Sequence, residues 1–181
     1  MKANGLILRL SPITEALSDG EVEFLNTLLV AEAFATGELI CSSNSPHHDS
    51  LFIVMSGGIK VRLTSQEGRL TVHAINLGDV ANILAFMGAS RATADSTLHA
   101  EGATSVLRLD RHTLERHLYS HPGLVYRLTC GITRYVHSRL RHLCGEVEAL
   151  NQRITCTPFE RQMQQGEFIR PTASHTELVM G

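Results

Sequence analysis

The sequence predicts a mainly β protein with flanking helices: an antiparallel β-roll, of the double-stranded β-helix or jelly-roll kind, followed by a long dimerisation helix. Three observations carry this. Turn signals at Thr36-Gly37, Ser42 to Ser50, Ser56-Gly57-Gly58, Ser65 to Gly68, Asn76 to Asp79 and Glu101-Gly102 cut the region from about Ala33 to Leu109 into short strands. Within it, Ile59, Val61 and Leu63 alternate with Lys60, Arg62 and Thr64, and Val106, Leu107 and Leu109 flank Arg108. Further on, Val136, Leu140, Leu143, Val147, Leu150 and Ile154 recur at spacings of 4 and 3, the seam of a coiled coil.

The elements follow in order. Residues 1–30 form a helical segment. Ser11-Pro12 places an N-cap before a first-turn proline, and Ser18 with Glu21 forms a capping box ahead of Val22, Leu25, Leu28 and Leu29. Residues 31–121 form the roll. Its most legible stretch, DSLFIVMSGGIKVRLTSQEG (49–68), reads as two strands folded back through Ser56-Gly57-Gly58, with Gly57 and Gly58 supplying backbone freedom at a tight turn. VANILAFMG (80–88) is too rich in Ala and Leu for a strand and reads as a short helix within the sheet. Asp110 caps RHTLERHLYSHP, which stops at Pro122. Residues 122–155 form the long helix, beginning near Gly123. Its stripe is narrower than a core-facing helix shows, which favours a homodimer; packing on its own domain is the other reading. Residues 156–181 form a polar tail or the incomplete start of a helix-turn-helix domain.

Composition limits the function. The chain has 181 residues, 43% hydrophobic, with net charge −2 and no Trp, so it has core-forming residues but no basic excess for nucleic acid. No apolar run approaches the length of a membrane span, and MKANGLILRLSP, interrupted by Arg9, is a poor signal peptide. Cys41, Cys130, Cys144 and Cys156 lack paired spacing, so a reduced, cytoplasmic protein is expected.

The order of elements, with GELICSSNSPHHDSLFIVMSGGIKVRL, NLGDV and VLRLDRHTLERHLYSHPGLVYRL, resembles the cyclic-nucleotide-binding domain of the catabolite-activator/FNR regulator family over roughly residues 20 to 145. The resemblance implies a ligand cassette after the Gly-Asp turn. There a Glu accepts from a ribose hydroxyl, an Arg neutralises the cyclic phosphate, and backbone N–H groups of the small helix complete the anion site. The corresponding pocket residues here are Gly78, Asp79, Asn82, Ile83, Leu84, Arg91 and Thr93. Asn82-Ile83 stands where the family has Gly-Glu, and Ile accepts no hydrogen bond. Arg91 suits the phosphate slot when counted from Ile83. Counted back from HAEGATSVLRLD, the slot falls on Ala94 and Arg91 becomes a loop cation. Cyclic AMP is therefore not the expected effector.

Other sites are weaker. His47-His48-Asp49, and His137 with His142, are poor metal arrangements, because adjacent histidines splay apart and an i, i+5 pair diverges on a helix. His73 or His99 offers a haem ligand, against a packed strand histidine. Cys130 and Cys144 lie beside the seam, as inert thiols or as a redox pair across a dimer. No metal and no cofactor is required, and no arrangement suggests catalysis, so a non-enzyme is expected.

TASHTELVMG faintly resembles the first helix of the family's DNA-binding module. A recognition helix would have to follow, so DNA is a partner only with a winged helix beyond residue 181. The leading expectation is the sensor and dimerisation region of a catabolite-activator/FNR-type regulator, with an unidentified small-molecule effector. An atypical cyclic-nucleotide module and a ligand-free interaction scaffold are the alternatives.

Overall fold

The structure is a computed structural model that describes residues 8–64, 70–88 and 95–155. It divides into two compact units, Met1–His137 and Ser138–Gly181.

In the first unit a helical turn closes at residues 8–10, and residues 11–17 are successive turns, not the helix expected from Ser11-Pro12. Ser11 N donates to Leu8 O, Thr14 N to Ser11 O and Leu17 N to Thr14 O, so each bond spans three residues and none continues as an α-helix. The Thr14 hydroxyl donates to the carbonyls of Leu8 and Ser11, reinforcing the same turns. Leu8, Ile13 and Leu17 are buried by this strap. Helix α1 (Asp19–Leu28) then starts at the capping box. The Ser18 backbone N–H and hydroxyl both donate to Glu21 Oε2, each at 2.9 Å, and Val22 and Leu25 are buried.

Six strands form one antiparallel sheet: β1 (Val30–Phe34), β2 (Leu39–Ser42), β3 (Leu51–Thr64), β4 (Leu70–Ile75), β5 (Val80–Ala81) and β6 (Asp95–Leu109). The two long strands, β3 and β6, pair along their whole length and act as the spine. β1 and β2 pair with opposite ends of β6, and β5 and β4 with opposite ends of β3.

This corrects the expected hairpin at Ser56-Gly57-Gly58. The chain does not turn back there; β3 runs straight through, and its register against β6 shifts between Val54 and Ser56 and again between Ser56 and Gly58. The glycines sit in a double bulge. Gly57 has φ +72°, and a Cβ on it would stand 2.5 Å from the Ala103 carbonyl oxygen. Thr104 Oγ1 donates to Gly58 O at 2.9 Å, and the Ser56 and Ser105 hydroxyls pair at 2.6 Å. Side-chain bonds thus stand beside the interrupted ladder.

Alternation along the strands builds two cores. Phe52, Val54, Ile59, Leu98 and Val106 join Ile40 and Ile75 in a cluster made only of strand residues. Leu51, Ile53, Leu107 and Leu109 point the other way, onto the strap, α1 and the later helices. Because both faces are covered, Leu51 to Val54 are all buried and read as an unbroken apolar run.

Between β5 and β6, helix α2 (Ile83–Phe86) confirms a short helix, although Val80 and Ala81 ahead of it belong to a strand. Helix α3 (Arg111–Glu115) starts where Asp110 Oδ1 accepts from Thr113 N at 2.9 Å; the residues after Glu115 are turns. Helix α4 (Pro122–Thr155) begins one residue before Gly123. Its Leu124, Leu128 and Ile132 are buried in the helix-side core. The second unit is described as the remainder of this helix, in which His142 pairs with Glu146 at 3.4 Å.

Candidate ligand cassette

The cassette starts at a turn that β3 holds in place. Asp79 N donates to Asn76 O at 3.0 Å, Gly78 N to Val54 O at 2.9 Å, and Val54 N to Asp79 O at 3.1 Å. Gly78 has φ +81°, which explains the glycine there. Beyond β5 the chain enters the left-handed region at Asn82, with φ 65° and ψ 27°, a conformation Asn tolerates better than most side chains. The Asn82 side-chain amide donates to both His48 O and Ser50 O at 2.8 Å, tying the cassette to the β2–β3 loop.

Helix α2 is a single turn in which Phe86 N donates to Asn82 O and Met87 N to Ile83 O. Phe86 is buried, Ile83 packs partly buried against the helix-side core, and Leu84 is exposed. Gly88, at φ +85°, ends the turn under the Arg111 guanidinium. Arg111 pairs with Glu115 at 2.7 Å, and His112 reaches Glu115 at 3.1 Å and Asp49 at 3.4 Å. Hydrogen bonds from Arg111 and then His112 hold the Glu115 carboxyl below its ordinary range. Burial pushes the Asp110 carboxyl up, but the Thr113 backbone N–H and hydroxyl outweigh it and leave the group lowered.

Of the expected pocket residues, Gly78, Asp79 and Asn82 lie together at this turn; Asn82 donates to the neighbouring loop, and Ile83 packs, partly buried, against the helix-side core. Asp79 Oδ1 accepts from the Tyr135 phenol of α4 at 3.2 Å. Arg91 and Thr93 lie outside the described residues. Sequence reasoning missed Tyr135 and Ser50, and weighed His48 only as a metal ligand, whereas its backbone carbonyl accepts from Asn82. For Tyr135 a signal existed: it continues the Leu124, Leu128, Ile132 stripe that faces the domain, and brings a hydroxyl to its end.

Among the described residues, the seam positions stand exposed. Val136, Leu140, Leu143, Val147 and Leu150 are 39 to 57% exposed. Ile154 lies in α4, but its side chain is outside the described set.

Among the described residues, no group of three or more His, Cys, Asp or Glu is placed to hold a metal ion. His48 Nδ1 lies 3.2 Å from Ser45 O and His99 Nδ1 3.3 Å from Gly37 O, while the His73 side chain is outside the described set. Cys41 is buried, and desolvation pushes its thiol up to about 11; Cys130 is half-buried and Cys144 exposed. Among the described residues, no helix is long and apolar enough to cross a membrane.

Comparison with known proteins bears on this geometry. The model of the cyclic nucleotide-binding domain matches residues 31–121. The N-terminal domain of a transcriptional regulator from Streptomyces coelicolor A3(2) superposes with a TM-score of 0.59 at 21% identity, over 74% of this chain and 94% of that one. A cyclic nucleotide-binding domain from Methylobacillus flagellatus gives 0.65 at 16% identity, over 78% of each chain. The Thermus thermophilus catabolite activator protein gives 0.60 at 17% identity, over 78% of this chain but only 63% of the activator, so the match spans under two thirds of that protein. Curated proteins yield no match.

Proposed function

The chain belongs to the cyclic nucleotide-binding domain family, and on that premise we propose that it is the sensor and dimerisation region of a catabolite-activator/FNR-type transcriptional regulator whose effector is not cyclic AMP. The observation that carries this is the change of apolar face along α4. Up to Tyr135, the residues Leu124, Leu128 and Ile132 serve the domain while Tyr126 is exposed; from Val136 onward a second stripe at heptad spacing is exposed among the described residues. A second copy of the same helix covers that stripe in heptad register. The ligand reading draws on Ile83, which the resemblance puts at the family's ribose-binding position and which packs, partly buried, against the helix-side core.

Sedimentation tests the assembly. The wild-type chain is expected to be a dimer at tens of micromolar. Leu143→Asp should be a monomer with an intact β spectrum, because burying an unpaired carboxylate costs about 2–7 kcal/mol or more. A wild-type monomer would remove the dimer claim. Calorimetry with cyclic AMP separates this reading from that of an atypical cyclic-nucleotide module, which micromolar binding would establish.

A further inference from the structure

We infer that the cassette is latched in place by the chain's own side chains, so that α4 is presented in its docked position without an effector. Three contacts make the latch, and each uses a different part of the cassette. At the entry turn, Asp79 Oδ1 accepts from Tyr135 OH at 3.2 Å, which joins the turn to α4 one residue before the exposed stripe begins. In the middle, both protons of the Asn82 amide are taken by His48 O and Ser50 O at 2.8 Å, leaving that amide no further donor for a ligand. At α2, Ile83 and Phe86 pack into the same cluster as Leu124, Leu128 and Ile132 of α4.

These contacts hold the cassette from within the chain. A ligand-dependent cassette keeps its polar side chains available, so that binding supplies the energy that orders the segment. Here the polar groups at Asp79 and Asn82 are committed internally, and the helix turn is anchored by apolar burial. A ligand with equal affinity for a latched and an unlatched cassette shifts nothing, and one that competes for Asp79 or Asn82 must first break a bond already made. Regulation at this cassette then acts by release, through whatever breaks the latch, and not by ordering. The consequence for assembly rests on α4 being the dimer helix; the latch itself does not.

Hydrogen exchange read by mass spectrometry tests this on the full chain. In the wild type without nucleotide, amides of residues 76–86 should exchange slowly, and millimolar cyclic AMP or cyclic GMP should leave the rates unchanged. Tyr135→Phe keeps the ring and removes the hydroxyl. Asn82→Gly keeps the left-handed backbone and removes the amide. Each should speed exchange in residues 76–86 by about two- to tenfold, the worth of one net hydrogen bond, while residues 106–109 of β6 stay unchanged. Asp79→Asn, which retains an acceptor for the phenol, should keep the wild-type rate. Leu143→Asp should show the same protection as the wild type, since the latch lies within one chain. Protection of a wild-type chain that sediments as a monomer would sink the dimer reading and leave the latch standing. Slow exchange that appears only after nucleotide is added, or unchanged rates in Tyr135→Phe and Asn82→Gly, overturns the inference.

Discussion

Gly131 of α4 lies directly against Ile13 of the N-terminal strap: a Cβ at Gly131 would stand 2.1 Å from the Ile13 carbonyl oxygen. The strap is therefore seated on the helix through backbone, and no rotamer change relieves the contact. Gly131→Ala should destabilise the fold despite the gain of about 1 kcal/mol in helix propensity, because overpacking against backbone costs about 1–3 kcal/mol or more. Thermal denaturation should show a melting temperature lower by several degrees. Gly145→Ala is the control of opposite sign. It has no atom within 4 Å of the new methyl group and should raise helix stability by about 0.5–1 kcal/mol.

At Gly57 two penalties coincide. A substituent meets the Ala103 carbonyl oxygen at 2.5 Å, and φ is +72°. Gly37 has only the second, with φ +80° and open space around it. Gly57→Ala should therefore cost clearly more than Gly37→Ala, which bears about 1–2 kcal/mol of left-handed strain. Equal losses in urea denaturation would mean that β3 and β6 do not approach as described.

The Glu21 carboxyl caps α1 and also pairs with Arg127 of α4, whose Nε lies 3.1 Å from both carboxylate oxygens. Chiefly through the Arg127 hydrogen bonds, its pKa is lowered from 4.5 to about 2. A lowered pKa means that the contribution is present above about pH 4.5 and is lost as the pH falls toward 2. Arg127 is nearly half exposed, so at neutral pH the pair is worth at most about 1 kcal/mol. Glu21→Gln keeps the cap acceptor and removes the charge. Its stability deficit should be visible in denaturant titrations at pH 7 and should shrink as the pH drops from 4.5 to 2. No deficit at pH 7 would assign the residue to capping alone.

Ile83→Glu places a carboxylate against the helix-side core, which Ile83 contacts partly buried. The variant should melt several degrees lower, consistent with about 1–3 kcal/mol for a poorly compensated buried polar group, and cyclic AMP should not restore the loss. A larger cyclic-AMP-induced shift than in the wild type would show that position 83 faces a ligand after all.

Much of the local structure was legible because its causes are local. Ser18 and Glu21 are three residues apart, so their mutual bonds depend on one helical turn; Asp110 and Thr113 repeat the logic at α3. The turns at Thr36-Gly37, Ser42 to Ser50 and Asn76 to Asp79, the short helix after the Gly-Asp turn and the stripe of α4 are likewise set by local signals, whereas Ser56-Gly57-Gly58 and Glu101-Gly102, expected as turns, lie within the continuous strands β3 and β6. In the cassette, the turn at Gly78 and the departure at Asn82-Ile83 could be read directly, whereas their use could not.

Tertiary structure decided the cases in which one local pattern fits two conformations. Ser-Gly-Gly permits a hairpin or a bulge, and the bulge is selected because a partner strand from residues 95–109 passes both sides of it and presents the Ala103 carbonyl to the space a side chain would need. Ser11-Pro12 permits a helix start or a turn, and here a turn brings Ile13 onto the bare backbone of Gly131. Asn82 and Asp79 are polar residues of undetermined use until the fold brings His48, Ser50 and Tyr135 beside them. In each case the deciding atom is tens of residues away along the chain, and its position depends on the packing of the two cores, which no short window of sequence contains.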